Sequence, residues 1–301
     1  MNDYPPQPIS YVGRFAPSPT GPLHFGSLVA ALASYFDARS NKGTWLVRME
    51  DLDPPREPPG TDALILEQLH ILGLEWDGEV LYQSSRLDAY RTTLERLKAT
   101  GLCFSCDCTR PRIKSIGGIY DGRCRYRKLP FNSGLATRVK TDKNLYEFED
   151  AIQGNYSQIL EQDIGDFTLL RKDGLFAYQL AVVVDDADQG INHVVRGYDL
   201  LESTPRQIYL QQLLGFLTPQ YAHVPVVVNE QGQKLSKQNF ADSIDVQAAS
   251  TVLHNAMRFL GLRPAKAQIS EPPADLLAWG IDNWDIQAVP KLANIPMHAA
   301  H

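Results

Sequence analysis

Apolar positions along the chain recur in two periods. Ile9 to Phe15 reads as a buried strand, and Leu28, Ala31, Leu32, Tyr35 and Phe36 then recur at helical spacing until Gly43. Thr44 to Glu50 is the next strand. Strand, crossover helix and strand form a βαβ unit, so the sheet is expected to be parallel. Pro54-Pro55 and Pro58-Pro59 mark a stiff loop. Thr61 is the expected N-cap of a helix running to Leu72. Ser85 is the expected cap of another, with Leu87, Tyr90, Leu94 and Leu97 on one face and Gly101 at its end. From Leu102 to about Gly165 the pattern weakens, which predicts an insertion interrupting the sheet. Strand-like patterning resumes from Leu175 to Val184. Thr204 to Leu214 reads as a helix with Pro205 in its first turn. Val224 to Val228 is a short strand leading into a polar loop. Beyond Ala241 the pattern is mostly helical, as in Val246 to Leu260, which ends at Gly261.

A length of 301 residues suits two domains, or one with a sizeable insertion. With 44% apolar and 21% charged residues, the chain can fill an ordinary core and has no fibrous or disordered bias. No run reaches the roughly 18 apolar residues of a membrane span. The start, Met1-Asn2-Asp3-Tyr4-Pro5-Pro6, lacks the charged and apolar regions of a secretory signal, so a cytoplasmic enzyme is expected. A net charge of −6 does not advertise nucleic-acid binding. A local basic patch does: Arg110, Arg112, Lys114, Arg123, Arg125, Arg127 and Lys128 face a single acid, Asp121, although such a run can also be a solvated loop face. All four cysteines lie between Cys103 and Cys124, which in a cytosolic chain argues for a metal rather than disulfides.

No Walker A sequence is present, and no GxGxxG follows the first strand. A nucleotide site would instead rest on Arg14-Phe15-Ala16-Pro17-Ser18-Pro19-Thr20-Gly21-Pro22-Leu23-His24-Phe25-Gly26-Ser27. Its prolines and glycine shape a tight turn that delivers His24 and Gly26 to a helix N-terminus, where free N–H groups favour phosphate. Lys234-Leu235-Ser236-Lys237 supplies two cations in a loop. Each segment alone is ordinary: a turn before a helix, and two exposed lysines. Their co-occurrence in this order, with a parallel-sheet pattern between them, carries the expectation.

Together these segments resemble the HIGH and KMSKS signatures of class I aminoacyl-tRNA synthetases. With Arg48-Met49-Glu50-Asp51, Phe176 to Asp186 and Val195 to Leu201, the chain resembles bacterial glutamyl-tRNA synthetase from about Tyr11 to Asp242. The resemblance implies a Rossmann-like parallel-sheet catalytic domain in two halves (1–101 and 166–241), a zinc-containing insertion (102–165) and a helical segment (242–301). After the lysine loop only Ala241 to His301 remain. An anticodon-binding domain would need on the order of 100 residues more, so none is expected. That shortness, with Cys106-x-Cys108, Tyr120 and Cys124, is similar to a truncated branch of the family. That branch activates L-glutamate with Mg-ATP and transfers it to queuosine at the wobble position of tRNA(Asp). The implied ATP contacts are Pro17, His24, Gly26, Ser27, Lys234 and Lys237, with His24 and Lys237 catalytic. The implied glutamate pocket is Arg14, Phe15, Ala16, Pro17, Ser18, Glu50, Tyr178 and Arg196. Glu50 would take the ammonium, Arg196 with Tyr178 the side-chain carboxylate, and Arg14 is the other cationic candidate. Glu50 has a plainer reading as a partner of Arg48 or Arg56. Arg196, in an apolar run, needs a partner or a ligand.

Chemistry alone would choose Cys103, Cys106, Cys108 and Cys124 for zinc, whereas the resemblance implies Cys106, Cys108, Tyr120 and Cys124 in a structural site. Two departures stand out. Gln238 ends the lysine motif, and Ser27 replaces the second histidine of the HIGH pattern, leaving His24 as the imidazole. The expected protein is a monomer without membrane contact. The alternatives are a conventional glutamyl-tRNA synthetase, a non-catalytic RNA-binding paralogue, and a nucleotidyltransferase acting on a small metabolite.

Overall fold

A computed structural model describes residues 10–234 and 243–297. Strand β1 (Val12–Phe15), helix α1 (Phe25–Ser40) and strand β2 (Thr44–Met49) form the expected βαβ unit, paired in parallel from Val12↔Thr44 to Phe15↔Val47. The return from α1 is tight at Gly43, where a Cβ would lie 2.7 Å from the Tyr11 carbonyl oxygen. After α2 (Thr61–Ile71), β3 (Leu81–Tyr82) pairs in parallel with β2. Helix α3 (Leu87–Ala99) leads to β4 (Cys103–Cys106), the short α4 (Arg110–Ser115) and β5 (Ala136–Val139). The hairpin β6 (Leu145–Asp150) and β7 (Gly154–Ile159) follows, then α5 (Leu160–Asp163) and β8 (Phe167–Leu170).

Helix α6 (Tyr178–Asp188), β9 (His193–Gly197), α7 (Thr204–Leu214) and β10 (Gln220–Val224) complete the parallel sheet. β9 lies beside β1, where the Asn192 N–H donates to the Val12 carbonyl at 3.1 Å, and β10 runs parallel to β9. β6 joins the far side of β10 in parallel through Tyr221↔Asp150. β4, β5 and β8 make a separate antiparallel sheet, so the segment 102–165 contributes strands to both sheets. Towards the C-terminus come β11 (Val226–Val228), α8 (Ala249–Phe259), α9 (Pro273–Asp282) and β12 (Asn294–Pro296), which pairs in parallel with β11.

Side chains alternate across a strand, and here both faces are buried. Val47, Val195 and Ala222 enter one core with α1, α2, α8 and α9, and all four tryptophans (Trp45, Trp76, Trp279 and Trp284) pack there. Leu46, Val194 and Tyr221 enter a second core with α3, α6 and α7. A small third cluster holds Phe104, Cys106, Cys108, Tyr120 and Cys124. Among the described residues no helix is long and apolar enough to cross a membrane.

Several local expectations are corrected. The strand expected over Leu175–Val184 is helix α6 from Tyr178 onward, with only a single bridge, Leu170↔Phe176, before it. Leu180 to Val184 are all buried, and an apolar run buried on every side has the same pattern in a strand as in a helix. The strand Val224–Val228 is divided at Pro225, which cannot donate to a ladder. Gly60, with φ 81°, is the cap of α2, and Thr61 is its first residue. Ser85 sits in a 3-10 turn and donates to the Tyr82 carbonyl rather than capping α3, and Leu87 faces outward.

Helix α9 packs closely on α1 at Gly280, where a Cβ would lie 2.3 Å from the Phe36 ring. Gly280→Ala should therefore destabilise the protein by about 1–2 kcal/mol, the overpacking cost offset in part by better helix propensity. Denaturant titration measures it, and an unchanged midpoint contradicts the packing described.

Candidate active site

The turn after β1 is fixed at both ends. The Pro17 carbonyl accepts the Glu50 N–H at 2.9 Å, and the Leu23 N–H donates to Gln68 Oε1 at 2.8 Å. His24 caps α1, its Nδ1 accepting the Ser27 N–H at 3.1 Å. In the neutral ring the proton is then on Nε2, which makes that atom a donor. His24 also bridges Ser243, and the Ile244 N–H donates to the Leu23 carbonyl.

A cavity of about 430 Å³ opens where the parallel strands end. Arg14, Phe15, Ala16, Ser18, His24, Gly26, Ser27, Glu50, Tyr178, Arg196 and Lys234 line it together. The structure thus brings these expected residues into one space, and Pro17 is not among those that line it. Lys237 and Gln238 lie outside the described residues. On one side of that segment Lys234 lines the cavity, and on the other Ser243 is bridged to His24. The Lys234 ammonium donates to Asp199 at 2.6 Å.

The charges of Arg14, Glu50 and Arg196 define the cavity's chemistry. Arg14 pairs through Nε with Asp186 Oδ1 at 3.2 Å, and Arg48 reaches the same oxygen at 2.7 Å. Burial opposes ionisation of Asp186, but the two guanidiniums outweigh it and hold its pKa below the usual range. Glu50 is different. Its nearest cation is Arg48 at 3.7 Å, its Oε1 has no hydrogen-bond partner, and burial lifts its pKa to about 7. The plain pairing with Arg48 is therefore only loosely made. Arg196 comes from β9 and donates from Nη2 to Thr204 Oγ1 at 2.8 Å and from Nη1 to the Tyr178 hydroxyl at 3.4 Å. Such a space suits a ligand with one ammonium and more than one carboxylate.

A family model, tRNA synthetases class I (E and Q), catalytic domain, matches residues 11–268. The chain belongs to that family. Its relatives include a "Glutamyl-Q tRNA(Asp) synthetase" of Neisseria meningitidis serogroup C, 54% identical and aligned over 95% of this chain and 99% of that protein. Another of the same name, from Pseudomonas aeruginosa PAO1, is 50% identical over 95% of this chain and 98% of that protein. Among solved structures, a glutamate tRNA ligase from Elizabethkingia meningosepticum, crystallised with its amino acid, shares the fold with a TM-score of 0.80. It is 24% identical, over 96% of this chain and 67% of that one. The parallel sheet with helices on both faces is thus the class I synthetase fold.

Outside the family's nucleotide segments, the thiols of Cys106, Cys108 and Cys124 lie within 4.8 Å of one another and could hold a metal ion. Thiolates bound about 2.3 Å from a tetrahedral ion stand roughly 3.8 Å apart. Cys108 Sγ and Cys124 Sγ are 3.7 Å apart, a spacing that fits a shared ion and is far too long for a disulfide. The Tyr120 hydroxyl is 3.5 Å from Cys106 Sγ and accepts the Cys124 N–H at 2.9 Å. Arg112 approaches Cys108 Sγ and Arg127 approaches Cys124 Sγ, each at 3.5 Å. Cys103 points the other way from β4, into the second core with Tyr90 and Val139, so the all-cysteine set is not assembled. The basic patch is partly self-neutralised, since Arg112 pairs with Asp121, Arg125 with Asp166 and Glu161, and Arg127 with Asp107.

Sequence reasoning missed Asp186, Asp199 and Thr204. The first two are acids inside segments already singled out, and the cations they pair with, Arg14 and Arg48 for Asp186 and Lys234 for Asp199, were the available signal.

Because the folded-state pKa of Glu50 is raised from 4.5 to about 7, its stability contribution is full below about pH 4.5 and is lost as pH rises through 7. Glu50→Gln should flatten that decline between pH 5 and 8. Unfolding midpoints at the two pH values measure it, and parallel profiles for the variant and the unmodified chain contradict the shift.

Proposed function

We propose that this chain activates L-glutamate with ATP and transfers it to the queuosine base of tRNA(Asp). The observation that carries the first step is the single cavity holding Arg14, Arg196 and Glu50 beside the His24 cap. The second step is supported by relatives of that printed name, aligned over nearly their whole length.

In the proposed reaction an oxygen of the glutamate α-carboxylate attacks the α-phosphorus of Mg-ATP. The bond to the bridging oxygen breaks, and pyrophosphate leaves with the electron pair. A hydroxyl on the cyclopentene ring of queuosine then attacks the acyl carbon, losing its proton as AMP departs. Glu50, as carboxylate, holds the ammonium, while Arg196 and Tyr178 hold the side-chain carboxylate. Arg14, with the Phe15-to-Ser18 turn, closes the pocket. His24, donating from Nε2, and the α1 N-terminus at Gly26 and Ser27 meet the phosphates, with Lys234 and Lys237 stabilising charge on the departing pyrophosphate. Residues 1–101 and 166–241 act as the catalytic halves, 102–165 as the insertion and 242–301 as the segment that meets the RNA stem. The working form is a cytoplasmic monomer.

Glutamate-dependent ATP–pyrophosphate exchange without tRNA tests activation. Labelled glutamate should pass to tRNA(Asp) containing queuosine and not to tRNA(Asp) lacking it. Label on the 3′ adenosine of tRNA(Glu) would instead establish conventional charging.

We assign zinc to Cys106, Cys108, Tyr120 and Cys124, a closed set that would staple the insertion without taking part in chemistry. The purified chain should carry about one equivalent of zinc, and Cys124→Ser should lose it and melt earlier while retaining pyrophosphate exchange. Elemental analysis and calorimetry report both. A full-strength zinc signal in the variant contradicts the ligand set.

A further inference from the structure

Three neighbouring strands each place one buried polar residue in a continuous chain: Arg196 on β9, His223 on β10 and Asp150 at the end of β6. Arg196 and His223 are partners in the strand register. The Arg196 Nε–H donates to His223 Nε2 at 2.9 Å, and His223 Nδ1 meets Asp150 Oδ2 at 2.5 Å. His223 has no exposed surface.

The hydrogen-bond roles are forced. A guanidinium only donates, so His223 Nε2 accepts, and the ring proton sits on Nδ1 and donates to Asp150. The other Asp150 oxygen accepts the backbone N–H groups of Ile152, Gln153 and His223, at 3.1, 2.9 and 3.1 Å. That carboxylate therefore cannot turn. Burial drives the His223 pKa down to about 4, against the pull of Asp150, so the ring stays neutral. With Nε held by His223 and Nη2 by Thr204 and the Leu200 carbonyl, the loosest arm of the guanidinium is Nη1, shared with Tyr178. Arg196 and Tyr178 both line the cavity.

We propose that His223, locked by Asp150 as the Nδ1–H tautomer, is a positioning residue: it fixes the Arg196 guanidinium so that its Nη1 edge is held for the side-chain carboxylate of the amino-acid substrate. This rests on the glutamate reading of the cavity. The histidine touches neither substrate nor reacting atoms, and its effect falls on amino-acid recognition.

Asp150→Asn tests it with little change in size. The three backbone N–H groups keep the amide oxygen turned towards them, so the amide nitrogen faces His223 Nδ1. The ring proton must then move to Nε2, where it confronts the Arg196 Nε–H. In pyrophosphate exchange, KM for glutamate should rise about tenfold or more, with KM for ATP and kcat at saturating glutamate within about threefold. Imidazole nitrogen NMR of the unmodified protein should show His223 as the Nδ1–H form, which settles the tautomer even if the variant folds poorly. An Nε2–H signal overturns the proposal. So does a folded Asp150→Asn protein with unchanged KM for glutamate, or with equal losses for both substrates. Absence of glutamate-dependent exchange in the unmodified chain would overturn the proposed function and this inference with it, whereas the preceding results would overturn this inference alone.

Discussion

Asp186 is the anchor on which the site depends. One of its oxygens receives guanidiniums from two adjacent strands, Arg14 on β1 and Arg48 on β2, both in the interior. Removing one partner from a buried ion pair costs about 3–5 kcal/mol, because the remaining charge has lost its solvent as well as its partner. The neighbouring Asp185 accepts from Gln83 and Tyr90 on the opposite flank. Consecutive acids bound on different sides allow α6 one rotational setting. That setting carries Tyr178, about two turns earlier, to the cavity wall.

The two arginines lining the cavity are held by contrasting means. Arg14 has an anionic partner, Asp186, which it shares with Arg48. The immediate partners of Arg196 are neutral: an imidazole, a threonine hydroxyl, a tyrosine hydroxyl and a carbonyl. Its positive charge therefore remains available to an anion entering a poorly solvated space, where Coulombic attraction is least screened. Glu50, raised in pKa by the same burial, is poised for a cation. Like-signed ligand groups thus meet two different cations, Arg196 among neutral partners and Arg14 beside a carboxylate it shares with Arg48.

The βαβ opening and α7 were legible because their periodicity is regular and their punctuation local. Arg196 was legible because a charge within an apolar strand demands an explanation. His223 met the same criterion, lying between Ala222 and Val224, yet its partner Asp150 is 73 positions away in sequence and only the sheet brings them together. The helix at Tyr178–Asp188 could not be told from a strand, since burial on all sides erases periodicity. The clustering of Cys106, Cys108 and Cys124 followed from their closeness in sequence, whereas the exclusion of Cys103 depends on strand alternation along β4. The hairpin β6–β7 lies within the segment read as the insertion and also joins the parallel sheet, through a pairing with β10 that leaves no sequence mark.

The distribution of the indole side chains has a practical corollary. All four sit in the core shared by α1, α8 and α9, and none lies among the thiols or beneath α6 and α7. Tryptophan emission therefore witnesses one hemisphere of the molecule. Loosening that begins around Tyr120 and spreads through the antiparallel sheet would leave that emission unchanged until it reached the helices that carry Trp279 and embrace Trp45.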